Sequence, residues 1–255
     1  MMNASNFDLR LYLSRIGYAG TPSADLGTLR ALMRRQLFSV PFENLDVQAG
    51  KVVSLVPEEI FSKIVVRRRG GYCYEVNGLF AMALAAVGIP CRFVAARPMT
   101  YTVRRPKTHM AIVAEVDGEY WLCDLGFGSY GIREPVNLAW VGRKLSQDCD
   151  TFRLVRASEE EYLLQSLADD AWKNLYEFNL IPQEWIDFEP ANFMNSTHPD
   201  SIFVRNLMVV LQHETGKAVL TGHLFREVAE GHVSEREVSP EELPDLLAER
   251  FGLEL

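Results

Sequence analysis

The sequence predicts an α+β chain, helical in its first third, β-rich in its middle and mixed at its end. Three observations predict this. Apolar residues recur at helical spacing as far as Gly88, and from Cys91 the pattern changes to short strand-like runs between turn residues. Near the end, Ser239-Pro240-Glu241-Glu242 reads as a capping box that starts one more helix. The chain has 255 residues, 48% of them hydrophobic and 24% charged. A chain of that length buries roughly 70–75% of its unfolded surface, enough for a substantial core with a closed site.

The first helix carries Leu9, Tyr12, Leu13 and Ile16, one apolar stripe at i, i+3, i+4, i+7. Ser5, with Asp8 three residues on, is its expected cap and Gly17 its stop. A second helix carries Leu29, Leu32, Met33 and Leu37. A third begins near Pro57, has Glu58 and Glu59 in its first turn, and is expected to end in Arg67-Arg68-Arg69 before Gly70-Gly71. A fourth runs through Leu79, Phe80, Met82 and Leu84 to Gly88. Strands are expected over 91–96, 109–116, 119–125, 151–155, 161–166 and 172–178. Residues 182–199 read as loop-rich, and two more strand-like runs follow at 207–213 and 218–228. No internal repeat or low-complexity tract is visible.

The net charge of −8 argues against nucleic acid as a partner, because phosphate neutralisation needs a basic face. It argues equally against docking on anionic lipid. The longest uncharged stretch, residues 76–91, contains Asn77, Gly78 and Pro90 and is too short for the ~18–20 apolar residues of a membrane span. The N-terminus lacks a basic region followed by an apolar core, so the expected location is cytoplasmic. Cys73, Cys91, Cys123 and Cys149 form no Cys-x-x-Cys pair, so no metal site is expected and the thiols are read as reduced.

Cys73 stands apart from the other three cysteines. It follows two glycines and opens the fourth helix. A first helical turn offers free N–H groups and the positive end of the helix dipole, which favour a thiolate nucleophile. The competing reading is a buried structural cysteine. The run from His109 to Leu125 supplies possible partners. Asp117-Gly118 between two alternating strands is a two-residue hairpin turn that pairs Val116 with Glu119. That register sets His109 opposite Gly126 and Asp124 opposite Ala111. His109 and Asp124 then become diagonal neighbours on one face, about 7–8 Å apart at the backbone. A three-residue turn would put them on opposite faces, and a surface pair without catalytic role is the alternative. Cys, His and Asp together are the groups of thiol acyl transfer: the base takes the proton and the carboxylate fixes the tautomer.

With these residues in view, the sequence resembles the arylamine N-acetyltransferases. Arg69-Gly70-Gly71-Tyr72-Cys73-Tyr74-Glu75-Val76-Asn77-Gly78 stands where that family has its nucleophile. Arg15-Ile16-Gly17-Tyr18 and Pro41-Phe42-Glu43-Asn44-Leu45-Asp46 match its upstream motifs. Thr108-His109-Met110, Asp124-Leu125-Gly126-Phe127-Gly128, Ser196-Thr197-His198-Pro199 and Ser201-Ile202-Phe203 match later ones.

The resemblance implies an N-terminal helical bundle (1–88), a central antiparallel β-barrel (89–195) and a C-terminal α/β lid (196–255) shorter than usual. The Cys–His–Asp site would lie between the first two parts. It implies acetyl-coenzyme A as donor, an acetyl-cysteine intermediate and an arylamine or arylhydrazine acceptor. Cys73, His109 and Asp124 carry over as the triad. Thr108, Gly126, Phe127 and Gly128 carry over as coenzyme contacts, Phe42 and Phe127 as walls of the aryl pocket, and Glu43 with one of Arg67 to Arg69 as a supporting ion pair. Some relatives use the same triad with other acyl donors or to close a macrocyclic amide. A thiol hydrolase or transglutaminase-like enzyme acting on peptide amides is the alternative reading.

Arg67-Arg68-Arg69 could meet coenzyme phosphates or form a solvated helix end. His198, His213, His223 and His232 lack metal-ligand spacing. Trp121 and Trp172 read as packing aromatics. Monomer and homodimer are both compatible with the sequence.

Overall fold

The computed structural model describes residues 2–253. The outermost residues of the expected first and third parts, Met1 and Glu254–Leu255, lie outside these. The helical first third comprises α1 (Leu9–Arg15), α2 (Leu26–Ser39), the short strand β1 (Phe42–Glu43), α3 (Leu45–Gln48), α4 (Pro57–Phe61) and α5 (Cys73–Val87). Asp8, not Ser5, caps α1, accepting from the backbone N–H groups of Arg10 and Leu11. Ser5 instead donates to the Glu58 carboxylate. Helix α4 does not reach the arginines. It widens into a π turn over Ser62–Val66, and Arg68 then takes φ +54°. That widening turns Lys63 into the interior, where it is buried. Gly88, at φ +81°, closes α5 as read from the sequence.

The middle of the chain gives β2 (Cys91–Pro98), β3 (His109–Val116), β4 (Glu119–Cys123), β5 (Val136–Asn137), β6 (Leu145–Gln147), β7 (Asp150–Arg156), β8 (Glu161–Ala168) and β9 (Ala171–Asn179). They form one antiparallel sheet in the order β5-β4-β3-β2-β9-β8-β7-β6. Among the described residues the ladder runs between two edge strands without closing, so the expected barrel is an open, curled sheet. The β3–β4 register is the one the Asp117-Gly118 turn dictates, Val116 with Glu119 through Ile112 with Cys123. Asp117 and Gly118 both have positive φ, as a type I′ turn demands. Strand β4 stops at Cys123 rather than Leu125.

The stretch read as loop contains α6 (Glu189–Thr197), followed by α7 (Ile202–Arg205). Helix α6 has no continuous apolar stripe to announce it. It is held by side-chain amides: Asn192 donates to the Val53 carbonyl (2.9 Å) and Asn195 to that of Thr108 (2.9 Å). The chain ends in β10 (Met208–His213), β11 (Gly216–Thr221), β12 (Leu224–Ala229), β13 (His232–Glu237) and α8 (Leu243–Phe251). The run expected as one strand over 218–228 is a hairpin that turns at Gly222, and a further strand, β13, pairs with its second arm. Ser239 and Glu242 do form the reciprocal capping hydrogen bonds, though α8 proper begins at Leu243.

Two cores result. The large one runs from Met2 through the helices and the eight-stranded sheet to Val210. The small one, around Leu220, Phe225, Leu247 and Phe251, lies between the second sheet and α8. Strand β1 joins them: it leaves the helical region to pair with β10 at the edge of the five-stranded sheet. Among the described residues, no helix is long and apolar enough to cross a membrane.

Candidate active site

Cys73 is the first residue of α5 and is 2% exposed. Its place is set by the preceding glycines. Gly71 accepts from the backbone of Glu43 and donates to the carbonyl of Pro41. A Cβ on Gly70 would collide with that carbonyl, and one on Gly71 with the Glu75 side chain. The glycines thus serve close backbone approach, not positive φ. Glu75 caps the helix by accepting from the Tyr72 N–H (3.0 Å).

Beneath this turn lies a buried charge cluster. Lys63 Nζ stands 2.7 Å from Glu75, 2.6 Å from Asp46 and 3.6 Å from Glu43. Arg69 meets Glu43 at 2.8 Å, which is the ion pair expected of one of the three arginines. Burial disfavours charge on Lys63, but Glu75, Glu43 and Asp46 outweigh it and hold the ammonium above its ordinary range.

On the other side, the start of β3 and the residue just past β4 present His109 and Asp124. His109 Nε2 lies 2.7 Å from Asp124 Oδ2, and both side chains are buried. Oδ1 of Asp124 accepts from Gly126 N (2.9 Å) and Asn77 Nδ2 (3.1 Å). Asn77, one helical turn after Cys73, also donates to the Met110 carbonyl and accepts from Leu125 N. It ties the cysteine helix to both strands of the hairpin. Burial raises the Asp124 carboxyl, and His109 with these hydrogen bonds overrides it and holds the group below the usual range. Burial likewise opposes charge on His109. Asp124 and, after it, the facing Cys73 sulfur prevail, and the imidazolium is pushed up to about 10. Phe127 and Tyr176 pack on the His109 ring at centroid distances of 5.1 and 5.0 Å.

These groups open on a cavity of about 210 Å³. Cys73 and His109 line it together with Phe42, Thr108 and the turn Gly126-Phe127-Gly128, while Asp124 sits behind His109. The site residues expected from the sequence therefore meet in one place. Gly126 lies so close to Cys73 that a Cβ there would overlap its Cα and Cβ. The Thr108 carbonyl accepts from Tyr74 Oη (2.9 Å) and Asn195, which braces the start of β3. Arg67 and Arg68 do not line the cavity. Sequence reasoning gave no role to Asn77, Lys63, Tyr176 or Asn195. A polar residue inside the apolar α5 was a signal for Asn77, and a lysine among Ile60, Phe61, Ile64 and Val65 was one for Lys63.

Comparison with known proteins gives the class first: a family model described as N-acetyltransferase matches residues 25–255. The chain is 35% identical to the arylamine N-acetyltransferase of Mycolicibacterium smegmatis, over 97% of this chain and 92% of that protein. The crystal structure of the Nocardia farcinica arylamine N-acetyltransferase superposes with a TM-score of 0.92 at 36% identity, covering all of this chain and 92% of that one. The Mycobacterium marinum arylamine N-acetyltransferase in complex with CoA superposes with a TM-score of 0.89 at 32% identity, over 96% and 92% of the two chains. The chain belongs to the arylamine N-acetyltransferase family and is an acetyltransferase.

Proposed function

We propose that this enzyme transfers an acetyl group from acetyl-coenzyme A to the nitrogen of arylamines or arylhydrazines through an acetyl-cysteine at Cys73. The observation that carries this reading is the buried His109, 2.7 Å from Asp124 and lining an apolar cavity together with Cys73. Cys73 attacks the acetyl carbonyl as thiolate, the C–S bond to coenzyme A breaks, and His109 gives its proton to the leaving sulfur. Neutral His109 then takes a proton from the attacking amine as Cys73 leaves, which restores the starting pair. Asp124 keeps the imidazole oriented throughout.

The acyl-enzyme must outlive the exchange of coenzyme A for an amine. Phe42 and Phe127 give the cavity apolar walls that disfavour water. An arylamine nitrogen is largely uncharged at neutral pH and enters such a pocket without losing a proton, whereas an alkylamine must shed its charge first. The small cavity and the family membership favour acetyl transfer over a hydrolase or transglutaminase-like reaction on peptides. Thr108, Gly126, Phe127 and Gly128 are the proposed coenzyme contacts, and residues 1–88, 89–195 and 196–255 the proposed working parts.

Intact mass after mixing with acetyl-coenzyme A tests the reading: one acetyl group is expected, on Cys73. Acetylation at Cys91, Cys123 or Cys149 instead would overturn it. Double-reciprocal plots for donor and arylamine should be parallel, and coenzyme A release beyond the first equivalent should be slow until an arylamine is added. Fast continuing release without amine would favour hydrolysis. Phe127→Ala should impair use of the aromatic acceptor more than acetylation by the donor.

A further inference from the structure

The segment between β2 and β3 forms one wall of the catalytic cavity, to which Thr100, Tyr101 and Arg105 contribute. Arg105 is the one arginine or lysine among the described residues that line it. Its guanidinium packs against the Tyr101 ring at 4.9 Å, and its Nε is buried with no hydrogen-bond partner. The neighbouring cations are all committed. Arg97 and Arg104 both meet Glu177, at 2.7 and 2.6 Å, and Lys107 faces Glu161 at 3.8 Å. The carboxylate on the cavity wall, Asp200, is engaged by Arg205. No carboxylate within ion-pair distance neutralises Arg105 among the described residues.

Arg30 and Arg92 show the same posture, stacked on Trp121 and Tyr120 with an unpartnered Nε, but neither lines this cavity. Stacking therefore accounts for the pose of all three, and only Arg105 is stationed where a ligand arrives. A buried donor without a partner is costly and is satisfied when a ligand acceptor reaches it. The guanidinium fork matches carboxylate and phosphate oxygens, and apolar surroundings weaken the screening of that attraction.

We propose that Arg105 is an anion-binding subsite of the catalytic cleft, taking either a phosphate of the acyl donor or a carboxylate carried on the aromatic acceptor. The identity of the two candidate ligands rests on the acetyl-transfer reading; the presence of an anion subsite does not. Calorimetric titration of the full chain with coenzyme A, aminobenzoate and the uncharged aminobenzamide tests it, in the native protein, Arg105→Met and Arg105→Lys. Arg105→Met should weaken one or both anions roughly 10- to 100-fold, the effect of losing a hydrogen bond to a charged group. It should leave aminobenzamide within about twofold, and Arg105→Lys should recover part of the loss. A loss confined to coenzyme A assigns the phosphate, and one confined to aminobenzoate assigns the carboxylate. Equal losses for all three ligands, or none for either anion, would overturn the proposal. Because titration needs no turnover, it decides Arg105 even if the acetylation experiment on Cys73 fails.

Discussion

The start of the cysteine helix and the C-terminal sheet solve the problem of buried polar groups in opposite ways. Behind Cys73, buried charges are paired across a long stretch of sequence: His109 with Asp124, Glu75 with Lys63, Glu43 with Arg69. All but the half-buried Arg69 are buried. The C-terminal sheet is a meander of adjacent hairpins over a small core, and its last strand, β13, is exposed along its whole length. Besides the β1–β10 pairing, a buried side chain bolts it to the rest. Arg133, fully buried, reaches Asp150 (2.8 Å), the carbonyls of His213 (2.6 Å) and Gly216 (3.1 Å), and Gln212 (3.2 Å). Alongside it, Gln212 donates to the Gly128 carbonyl at 3.0 Å, and Lys217 donates to that of Ser129. The difference teaches where damage should appear: substitutions at the first region should remove chemistry, and those at the second should cost stability or nothing.

The sharpest test of that division is Cys73→Ser. Turnover should fall by on the order of 10⁴-fold or more, as when a covalent nucleophile is lost, while the thermal midpoint stays close to native. Asp124→Asn should cost on the order of 10⁴-fold, the effect known for the equivalent change in a serine triad. A loss below about tenfold would make Asp124 structural and erase the contrast. In the second region, Arg133→Met should lower unfolding free energy by about 3–5 kcal/mol, the cost of breaking a buried pair. The donor half-reaction of whatever protein remains folded should proceed normally. Urea unfolding and acetylation rate, measured together, separate the two.

A pH experiment sharpens the comparison further. His109 in the folded chain titrates near 10, above its ordinary 6.5. The stability it contributes is therefore whole below about pH 6.5 and is lost as pH rises toward 10. The stability gap between the native chain and His109→Gln should narrow over that range, by up to ~1.4 kcal/mol per pH unit. A gap independent of pH would mean the proton is not held there. Val233→Ala, on exposed β13, should change stability by no more than ~0.5 kcal/mol and activity not at all. A larger effect would show that the outer strand is coupled to the site.

Much of the catalytic side was legible because local rules govern it. The Asp117-Gly118 turn fixed the β3–β4 register, and that register put His109 and Asp124 on one face. The double glycine marked the start of α5. Helix α6 was not legible, because side-chain amides rather than an apolar stripe hold it, and such bonds leave no periodicity. The turn at Gly222 was hidden inside a run of strand-forming residues, and the exposed β13 has no apolar alternation to reveal it. Nothing local announces the π turn that ends the helix before the arginines at 67–69.

The sequence by itself determined which groups could do the chemistry and the secondary elements that carry them, since caps, turns and alternation act over a few residues. Only the tertiary structure decided what each buried charge is paired with. It brought Lys63 against Glu75, threaded Asn77 between both hairpin strands and left Arg105 unpaired on the cavity wall. Such pairings join residues that no short-range rule connects. They are set by how elements pack, because a desolvated polar group must find its partner wherever the packing has placed one.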